Sequence, residues 1–264
     1  MRNKAEQTAI YLLLGLFMLS ITALIQHTTV GYARTSAEEL CPALYSPADC
    51  ESSMPEQKTV YFTFDDGPSK NTETILDILD QNGVKATFFV TAQCSDNADV
   101  PALMRRILAD GHEVGLHAYT HKYSKIYSSL EGYLQEMDAI NRYVEENTGY
   151  SSAIVRFPGG SCTSNASKAL MKRIINEMEE RRYVYYDWDV DSGDGASKVI
   201  SAERLADNIV SGAEGQRVVV LLHDSPGPVT TPRAVELAIP RLREMGYTFD
   251  KLAANIEPPQ LRRP

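Results

Sequence analysis

Residues 59–68 read TVYFTFDDGP, and the first six of them form an apolar run rich in β-branched and aromatic side chains. Such a run is typical of a buried strand. It ends in the acidic pair Asp65-Asp66, which a Gly-Pro turn signal follows. The stretch therefore predicts a strand over residues 59–64 whose C-terminal end carries two carboxylates.

Similar runs alternate with helical patterns along the rest of the chain. Strands are predicted over residues 59–64, 85–91, 112–116, 153–157, 183–187, 217–222 and 247–249. Helices are predicted over residues 71–81, 101–109, 130–146, 167–180, 202–211 and 233–245. This alternation implies a parallel sheet with helices packed outside it. Seven or eight such units in about 200 residues favour an α/β fold that closes into a (β/α) barrel over an open doubly wound sheet.

The overall composition is that of an ordinary globular protein, with 43% hydrophobic and 23% charged residues. One domain and an extension account for the length. The net charge is -9 and no basic stripe is present, which argues against nucleic acid as a partner.

The N-terminal segment differs from the rest. Arg2 and Lys4 precede an apolar run over residues 9–25. A basic start followed by such a run is typical of a secretory signal peptide or of an uncleaved membrane anchor, and its length leaves both open. Basic residues on the N-terminal side predict that the remainder lies outside the cell. Residues 38–58, rich in Pro, Ser, Glu and Asp, predict a linker or a loosely packed extension.

The four cysteines suit an exported chain. Cys41 and Cys50 lie in the extension, where a bridge between them would close a small loop. Cys94 and Cys162 follow predicted strands at the same end of the barrel, which also admits a bridge. Four cysteines allow three connectivities, and the spacing selects none of them over free thiols.

Polar residues fall repeatedly at the C-terminal ends of the predicted strands, where (β/α) barrels carry their chemistry. They are Asp65 and Asp66, His117 and His121, Arg156, Asp191 and Asp194, and His223 and Asp224. Each group taken alone has an ordinary structural explanation: a tight turn, an incidental pair of histidines, a surface cation or a hydrogen-bonded core histidine. Their shared position is what indicates an active site.

The residue types indicate hydrolysis at a metal site. Two histidines spaced as His-x-x-x-His, with one carboxylate, form a first-row metal set that leaves positions open for water and substrate. A divalent metal lowers the pKa of bound water and polarises a carbonyl oxygen. A second carboxylate could act as general base, a separate histidine could protonate the leaving amine, and an arginine could hold the base ionised. The sequence contains neither a Gly-rich phosphate loop nor a Gly-x-Ser-x-Gly elbow, so amide or ester hydrolysis by a metal is favoured.

Five segments, in order, resemble the motifs of the polysaccharide deacetylases, which are carbohydrate esterase family 4 or the NodB-homology domain. They are TFDDGP at 63–68, HAYTH at 117–121, RFPGG at 156–160, DSGD at 191–194 and LLHD at 221–224. The resemblance implies a distorted (β/α) barrel of seven or eight strands. It spans residues 59–252, which leaves 1–37 as the signal or anchor, 38–58 as the extension and 253–264 as a tail.

The resemblance also implies a division of roles within the acidic pair. Asp65 would be the general base. Asp66, His117 and His121 would hold a divalent metal, with zinc expected and cobalt, nickel or manganese as alternatives.

Four further roles follow from the same resemblance. His223 would be the general acid, and Arg156 would orient Asp65. Asp194 would either tune His223 or brace Arg156. A backbone N–H near Gly159 would help to bind the oxyanion.

The chain departs from the family pattern at several positions. Ala118 stands where Ser or Thr is usual, Lys122 where Pro is usual, and Gly159 where many members have Tyr. Gly195 replaces a tryptophan that lines the groove, and Trp188 is the only tryptophan in the chain. These departures concern the shape of the acetyl pocket, whereas the metal set is intact.

The resemblance favours a peptidoglycan N-acetylglucosamine deacetylase at the cell wall, either secreted or tethered through residues 9–25. Residues 127–129 (YSS) after the second motif are similar to wall-acting bacterial members. The alternatives are a deacetylase of chitin, xylan or another exopolysaccharide, or a non-catalytic carbohydrate-binding relative. The last requires the loss of a catalytic residue, and all are present.

Overall fold

The computed structural model describes residues 40–48, 51–93, 96–196 and 198–261. The apolar run at residues 9–25 lies outside these ranges, and so do Cys50 and Cys94, so the leader and both cysteine pairings stay predictions. In the described part, no helix is long and apolar enough to cross a membrane. The chain divides after Pro42, and the unit that begins at Ala43 holds the whole α/β fold described below.

One parallel sheet forms the centre of the molecule. Its strands run in the order β5-β4-β3-β2-β1-β7-β6, and β8 pairs with the start of β1. The strands are β1 (Thr59–Asp65), β2 (Ala86–Thr91), β3 (Glu113–Ala118), β4 (Ile154–Val155), β5 (Val184–Tyr185), β6 (Val190–Asp191), β7 (Arg217–His223) and β8 (Thr248–Phe249).

Helices connect most of the strands. They are α1 (Lys70–Gln81), α2 (Val100–Ala109), α3 (Tyr123–Ile126), α4 (Leu130–Thr148), α5 (Lys168–Glu180), α6 (Ala202–Gly212) and α7 (Thr231–Glu244). Four of these helices are preceded by a serine whose hydroxyl accepts a hydrogen bond from a backbone N–H of the first turn, which satisfies a donor that the helix leaves unpaired. These serines are Ser69, Ser129, Ser167 and Ser201.

The sheet curls into a distorted barrel because of how β5 and β6 are connected. They lie at opposite ends of the strand order, yet only residues 186–189 separate them along the chain. Five Cα–Cα steps span at most about 18 Å, whereas six strand spacings of a flat sheet would measure about 29 Å. The predicted barrel is confirmed, but its closure is incomplete: no ladder joins β5 to β6 within the described residues, and the covalent chain makes the connection.

Apolar side chains fill the space inside the curled sheet. Strands β1 and β2 are buried along their whole length, which explains their nearly continuous apolar sequences. A buried cluster joins side chains from several strands and from the C-terminal segment: Tyr61, Phe89, Ile154, Tyr186, Val219 and Leu252. This packing fixes the positions of the C-terminal ends of the strands.

Short elements differ most from the sequence predictions. β4 and β5 each have two residues in place of the predicted five, and β6 was not predicted. β6 exists because it pairs with β7, a long-range contact that two residues cannot signal by themselves. The single turn α3 was not predicted either. α7 begins two residues earlier than expected, with Pro232 in its first turn.

Part of the predicted extension contacts the domain. The guanidinium of Arg181 donates a hydrogen bond to the carbonyl of Leu44 (2.9 Å), and the N–H of Ser46 donates to the carbonyl of Arg181 (2.9 Å). Ser53 forms a parallel bridge with Ile256 of the C-terminal segment. These hydrogen bonds attach this stretch to the barrel.

The register of the central strands positions the candidate site. Asp65 at the end of β1 is the Cα partner of His223 at the end of β7. On the other side, β1 pairs with β2 and β2 with β3, whose penultimate residue is His117. The C-terminal ends of parallel strands meet at one edge, so these side chains are delivered to the same end of the barrel.

Candidate active site

Asp65 is held by a fully buried arginine. Arg156 follows β4, and its Nη1 atom donates to Asp65 Oδ1 (2.9 Å) and to the Thr63 hydroxyl (2.6 Å). Its other donors reach the carbonyls of Tyr186 and Asp187, both at 2.9 Å. Because each of these bonds constrains the guanidinium, Arg156 can fix the orientation of the Asp65 carboxylate.

Asp66 turns away from its neighbour toward two histidines. Its Oδ1 atom lies 3.2 Å from His117 Nε2 and 3.0 Å from His121 Nε2. Asp66 (φ 73°) and His121 (φ 51°) both occupy the left-handed region, which costs free energy for residues other than glycine. The surrounding structure therefore imposes the convergence of these three side chains.

This triad fits a divalent cation. His117 Nδ1 lies 2.8 Å from the carbonyl oxygen of Arg156, which can only accept, so Nδ1 carries the hydrogen and Nε2 is directed at Asp66. Asp66 Oδ1 is buried, yet no described group makes a hydrogen bond to it. Three ligand atoms within 4.8 Å of one another, without hydrogen bonds between them, are what a shared metal ion requires.

The three side chains also influence one another's pKa values. Burial raises the pKa of Asp66, but the close contact with His117 and the positive potential of the neighbouring histidines outweigh burial and hold that pKa well below its usual range. Burial lowers the pKa of His117, and the charges of Asp65 and Asp66 more than restore it. The pKa of the more accessible His121 is lowered, by burial first and then by His117. The arrangement favours an ionised Asp66 carboxylate at neutral pH.

His223 forms a second catalytic candidate with Asp194. His223 Nδ1 lies 2.8 Å from Asp194 Oδ1, and the His223 backbone N–H donates to Asp194 Oδ2 (2.8 Å). The hydroxyls of Ser192 (3.0 Å) and Thr231 (2.6 Å) also donate to this carboxylate. Of the two roles open to Asp194, the structure supports the contact with His223, since Arg156 makes its bonds elsewhere.

The pKa of His223 suits a proton donor. Burial lowers that pKa, but the hydrogen bond and charge of Asp194, together with Asp65 and Asp66, raise it from 6.5 to about 9. Because Nδ1 is engaged by Asp194, Nε2 is the nitrogen that remains for a substrate. Asp66 and His223 line the same cleft, so a bound molecule can meet the triad and the imidazole together.

Comparisons with known proteins agree with this geometry. The sequence model described as polysaccharide deacetylase matches residues 52–175. A peptidoglycan-N-acetylglucosamine deacetylase of Bacillus cereus is 34% identical over 200 residues, which are 74% of this chain and 69% of that protein. The chain belongs to the polysaccharide deacetylase family.

Solved structures show the same family fold. The catalytic domain of a peptidoglycan N-acetylglucosamine deacetylase from Eubacterium rectale matches 81% of this chain and 97% of its own, with a TM-score of 0.76 and 35% identity. The polysaccharide deacetylase Bc1974 from Bacillus cereus matches 77% of this chain and 96% of its own, with a TM-score of 0.67 and 31% identity.

This member of the polysaccharide deacetylase family uses glycine where the motif has tryptophan. A Cβ at Gly195 would lie 2.8 Å from His223 Cε1, so its backbone approaches the imidazole closely. Trp188 does not line the cleft with Gly195; it packs against the buried cluster and beside Arg156, 5.9 Å from the guanidinium carbon to the ring centre. Small and aliphatic side chains therefore form this wall of the cleft.

The loop between the two histidines is anchored by a residue that the motifs do not contain. Glu136 of α4 is 1% exposed, and its Oε2 accepts from the N–H (2.7 Å) and hydroxyl (3.0 Å) of Thr120. Lys125 pairs with the other carboxylate oxygen at 2.7 Å. Ala118 brings no hydroxyl, so Thr120 and Glu136 hold the loop that carries His121.

Sequence reasoning also missed the buried group that shapes the third motif. Asp187 Oδ1 accepts from the Ser161 N–H (2.8 Å), and Oδ2 accepts from the Ser161 hydroxyl (2.6 Å) and the Leu261 N–H (2.8 Å). Asp187 ends the predicted strand 183–187, which was a signal of the same kind as the other strand-end carboxylates. The C-terminal segment is thereby joined to the turn that follows Arg156.

Proposed function

We propose that the chain is a metal-dependent hydrolase that removes N-acetyl groups from N-acetylglucosamine of peptidoglycan. One observation carries the proposal: a single cleft brings together Asp66 of the triad and the His223–Asp194 pair, with Asp65 and Arg156 directly behind. Amide hydrolysis needs a water-activating side and a proton donor for the leaving nitrogen. Both are present in one continuous site.

The base side of the site consists of Asp65 and Arg156, which lie behind the residues that line the cleft. The carboxylate of Asp65 takes a proton from the attacking water, while the guanidinium of Arg156 keeps it oriented. Asp65 Oδ2 lies 4.0 Å from His117 Nε2, so the base is beside the triad but is not part of its closest contacts.

The acid side consists of His223 and Asp194. Protonated His223 donates from Nε2 to the nitrogen of the leaving amine. Asp194 holds the ring through Nδ1 and stabilises its positive charge. The deacetylated sugar leaves as an amine because this proton arrives as the C–N bond breaks.

Asp66, His117 and His121 would hold the metal, and the donor set of two imidazoles and one carboxylate favours zinc, with cobalt, nickel or manganese as alternatives. When bound, the ion supplies Lewis-acid polarisation of the acetyl carbonyl and lowers the pKa of water.

The substrate and the location rest on different support. The relatives named above as peptidoglycan-N-acetylglucosamine deacetylases favour peptidoglycan over chitin or xylan. Export, by a cleaved signal or an anchor over residues 9–25, would place the enzyme at the cell wall.

Acetate release from the purified domain, starting near residue 43, tests the activity. Peptidoglycan, chitooligosaccharides and acetylxylan are compared with and without a chelator and with metal restored. We expect metal-dependent release, fastest from peptidoglycan. Activity in a verified metal-free sample contradicts the mechanism, and a clear preference for acetylxylan contradicts the substrate.

A further inference from the structure

Tyr123 places a phenol group in the cleft that none of the five motifs includes. It is the first residue of α3, and its ring packs edge-on against the His121 imidazole, with centroids 5.4 Å apart and planes at 73°. The side chain lines the same cleft as Asp66 and His223. Within the described residues, no group forms a hydrogen bond with its hydroxyl, which leaves that donor for a bound molecule.

The phenol also reaches the turn after β4. Gly159 has a φ of 76°, and a Cβ built there would lie 3.4 Å from the Tyr123 hydroxyl and 2.9 Å from Thr163 Oγ1. Two side chains therefore occupy the space where a side chain at position 159 would begin. The described part of the chain offers no acceptor to the Gly159 N–H. The Gly159 N–H and the Tyr123 hydroxyl are therefore two unpaired donors that lie near one another.

Aromatic packing holds the phenol in place. The Tyr123 ring contacts both His121 and Tyr127, and the Tyr127 ring centroid is 6.2 Å away. The buried Tyr127 hydroxyl donates to the carbonyl of Pro158 (2.9 Å), which ties α3 to the same turn. A donor fixed before substrate binds needs little reorganisation when charge develops near it.

The position of Tyr123 decides which part of a substrate it meets. In the proposed function, the acetyl carbonyl oxygen faces the triad and the leaving nitrogen faces His223. Tyr123 contacts His121, so it lies on the carbonyl side. A neutral phenol donates one hydrogen bond through its hydroxyl.

We propose that the Tyr123 hydroxyl donates a hydrogen bond to the carbonyl oxygen of the substrate as negative charge develops on it, beside the Gly159 N–H. Tyr123 would then be a catalytic residue of the oxyanion site, contributed by α3. The inference rests on the proposed function, because it assumes an acyl substrate oriented between the triad and His223.

The test compares Tyr123→Phe with wild type in metal-loaded protein. Removing the Tyr123 hydroxyl is expected to lower kcat by roughly 10–10²-fold and to leave KM nearly unchanged. This loss is somewhat smaller than the loss usual when one oxyanion-hole donor is removed. Metal content and Tm are measured for each protein. Tyr143→Phe, on the outer helix α4, is the matched control and should retain wild-type kcat.

A second substrate separates this role from a structural one. An N-trifluoroacetyl sugar stabilises its own oxyanion, so the deficit of Tyr123→Phe should be smaller on it than on the N-acetyl sugar. An equal deficit on both substrates, a rise in KM alone, or a loss explained by missing metal would overturn the inference. Wild-type protein that releases no acetate would instead count against the proposed function.

Discussion

At the scale of single residues, the acidic pair after β1 shows two carboxylates in different surroundings. Asp65 is 4% exposed and bonded to Arg156, whereas Asp66 adopts a left-handed backbone conformation that directs it at His117 and His121. Because the two side chains have different neighbours, removing the charge of each should have different consequences.

Asp65→Asn should leave metal affinity near normal and lower kcat by roughly 10²–10⁴-fold, since an amide cannot accept the proton from water. Asp66→Asn should weaken metal binding, and excess metal should restore part of the activity. Metal titration and steady-state kinetics measure both effects. If Asp65→Asn lost metal while Asp66→Asn kept it, the two roles would have to be exchanged.

Asp194 controls the proton affinity of His223. Its carboxylate contributes the principal interactions that raise the pKa of His223 to about 9. The imidazolium form is therefore stabilised in the folded protein. This contribution to stability is fully present below about pH 6.5 and is lost as the pH rises through about 9.

Asp194→Asn should move the alkaline limb of the kcat/KM profile to lower pH, by roughly one to two units, because an opposite charge beside the imidazole is removed. A bound cation lowers this pKa in both proteins, so the prediction concerns the difference between their profiles. Asp191→Asn, whose exposed side chain accepts a hydrogen bond from the Gly193 N–H, is the control. An unchanged alkaline limb would show that His223 is not the group titrating there.

At the scale of elements, α4 supports the metal-binding loop from outside the barrel. Glu136 is buried on its inner face and connects Thr120 and Lys125 to the helix. His121 lies next to Thr120 in strained backbone geometry, so its position depends on these bonds. Helix α4 thereby provides support for the His121 loop that a hydroxyl at position 118 would otherwise share.

Glu136→Gln should reduce metal affinity by roughly 10–100-fold, as expected for groups that orient a ligand through hydrogen bonds. The amide keeps the shape but loses the ion pair with Lys125 and the charge on the acceptor. Competition with a chromogenic chelator measures the affinity. Glu146→Gln, exposed on the same helix, should behave as wild type. Equal metal affinity in both variants would show that the position of the loop does not depend on the Glu136 carboxylate.

At the scale of the whole molecule, the candidate ligands come from two strand ends and a strained loop. Asp66 follows β1, His117 lies in β3, and His121 ends the loop after it. The three atoms converge only when the barrel is folded, so an ion that binds them binds the folded state preferentially.

Metal should therefore raise the Tm of the purified domain. Metal at 100 times its Kd stabilises the folded state by about 2.7 kcal/mol, which corresponds to roughly 5–10 °C for a domain of this size. Differential scanning calorimetry with increasing zinc measures the shift. The double variant His117→Ala/His121→Ala should show almost none, and an equal shift in that variant would place the stabilising ion elsewhere.

The alternation of strands and helices, and the polar residues at strand ends, could be predicted because both are local patterns. The composition of a long apolar strand such as β7 predicts the strand. A residue at its C-terminal end lies at the end of the barrel that carries the active site, as in any parallel (β/α) barrel. The same reasoning placed Asp65, His117 and His223 at one edge before their contacts were visible. The position of each residue at the end of a predicted strand was enough for this prediction.

Tertiary structure alone decided which of these residues touch. Strand β6 exists through its pairing with β7, and Asp194 meets His223 rather than Arg156 because of how that pair of strands lies. Glu136 and Tyr123 reach the site through helix packing, which leaves no periodic trace in the sequence. The physical reason is range: strand and turn propensities act between neighbours, whereas partner choice depends on contacts across the folded barrel.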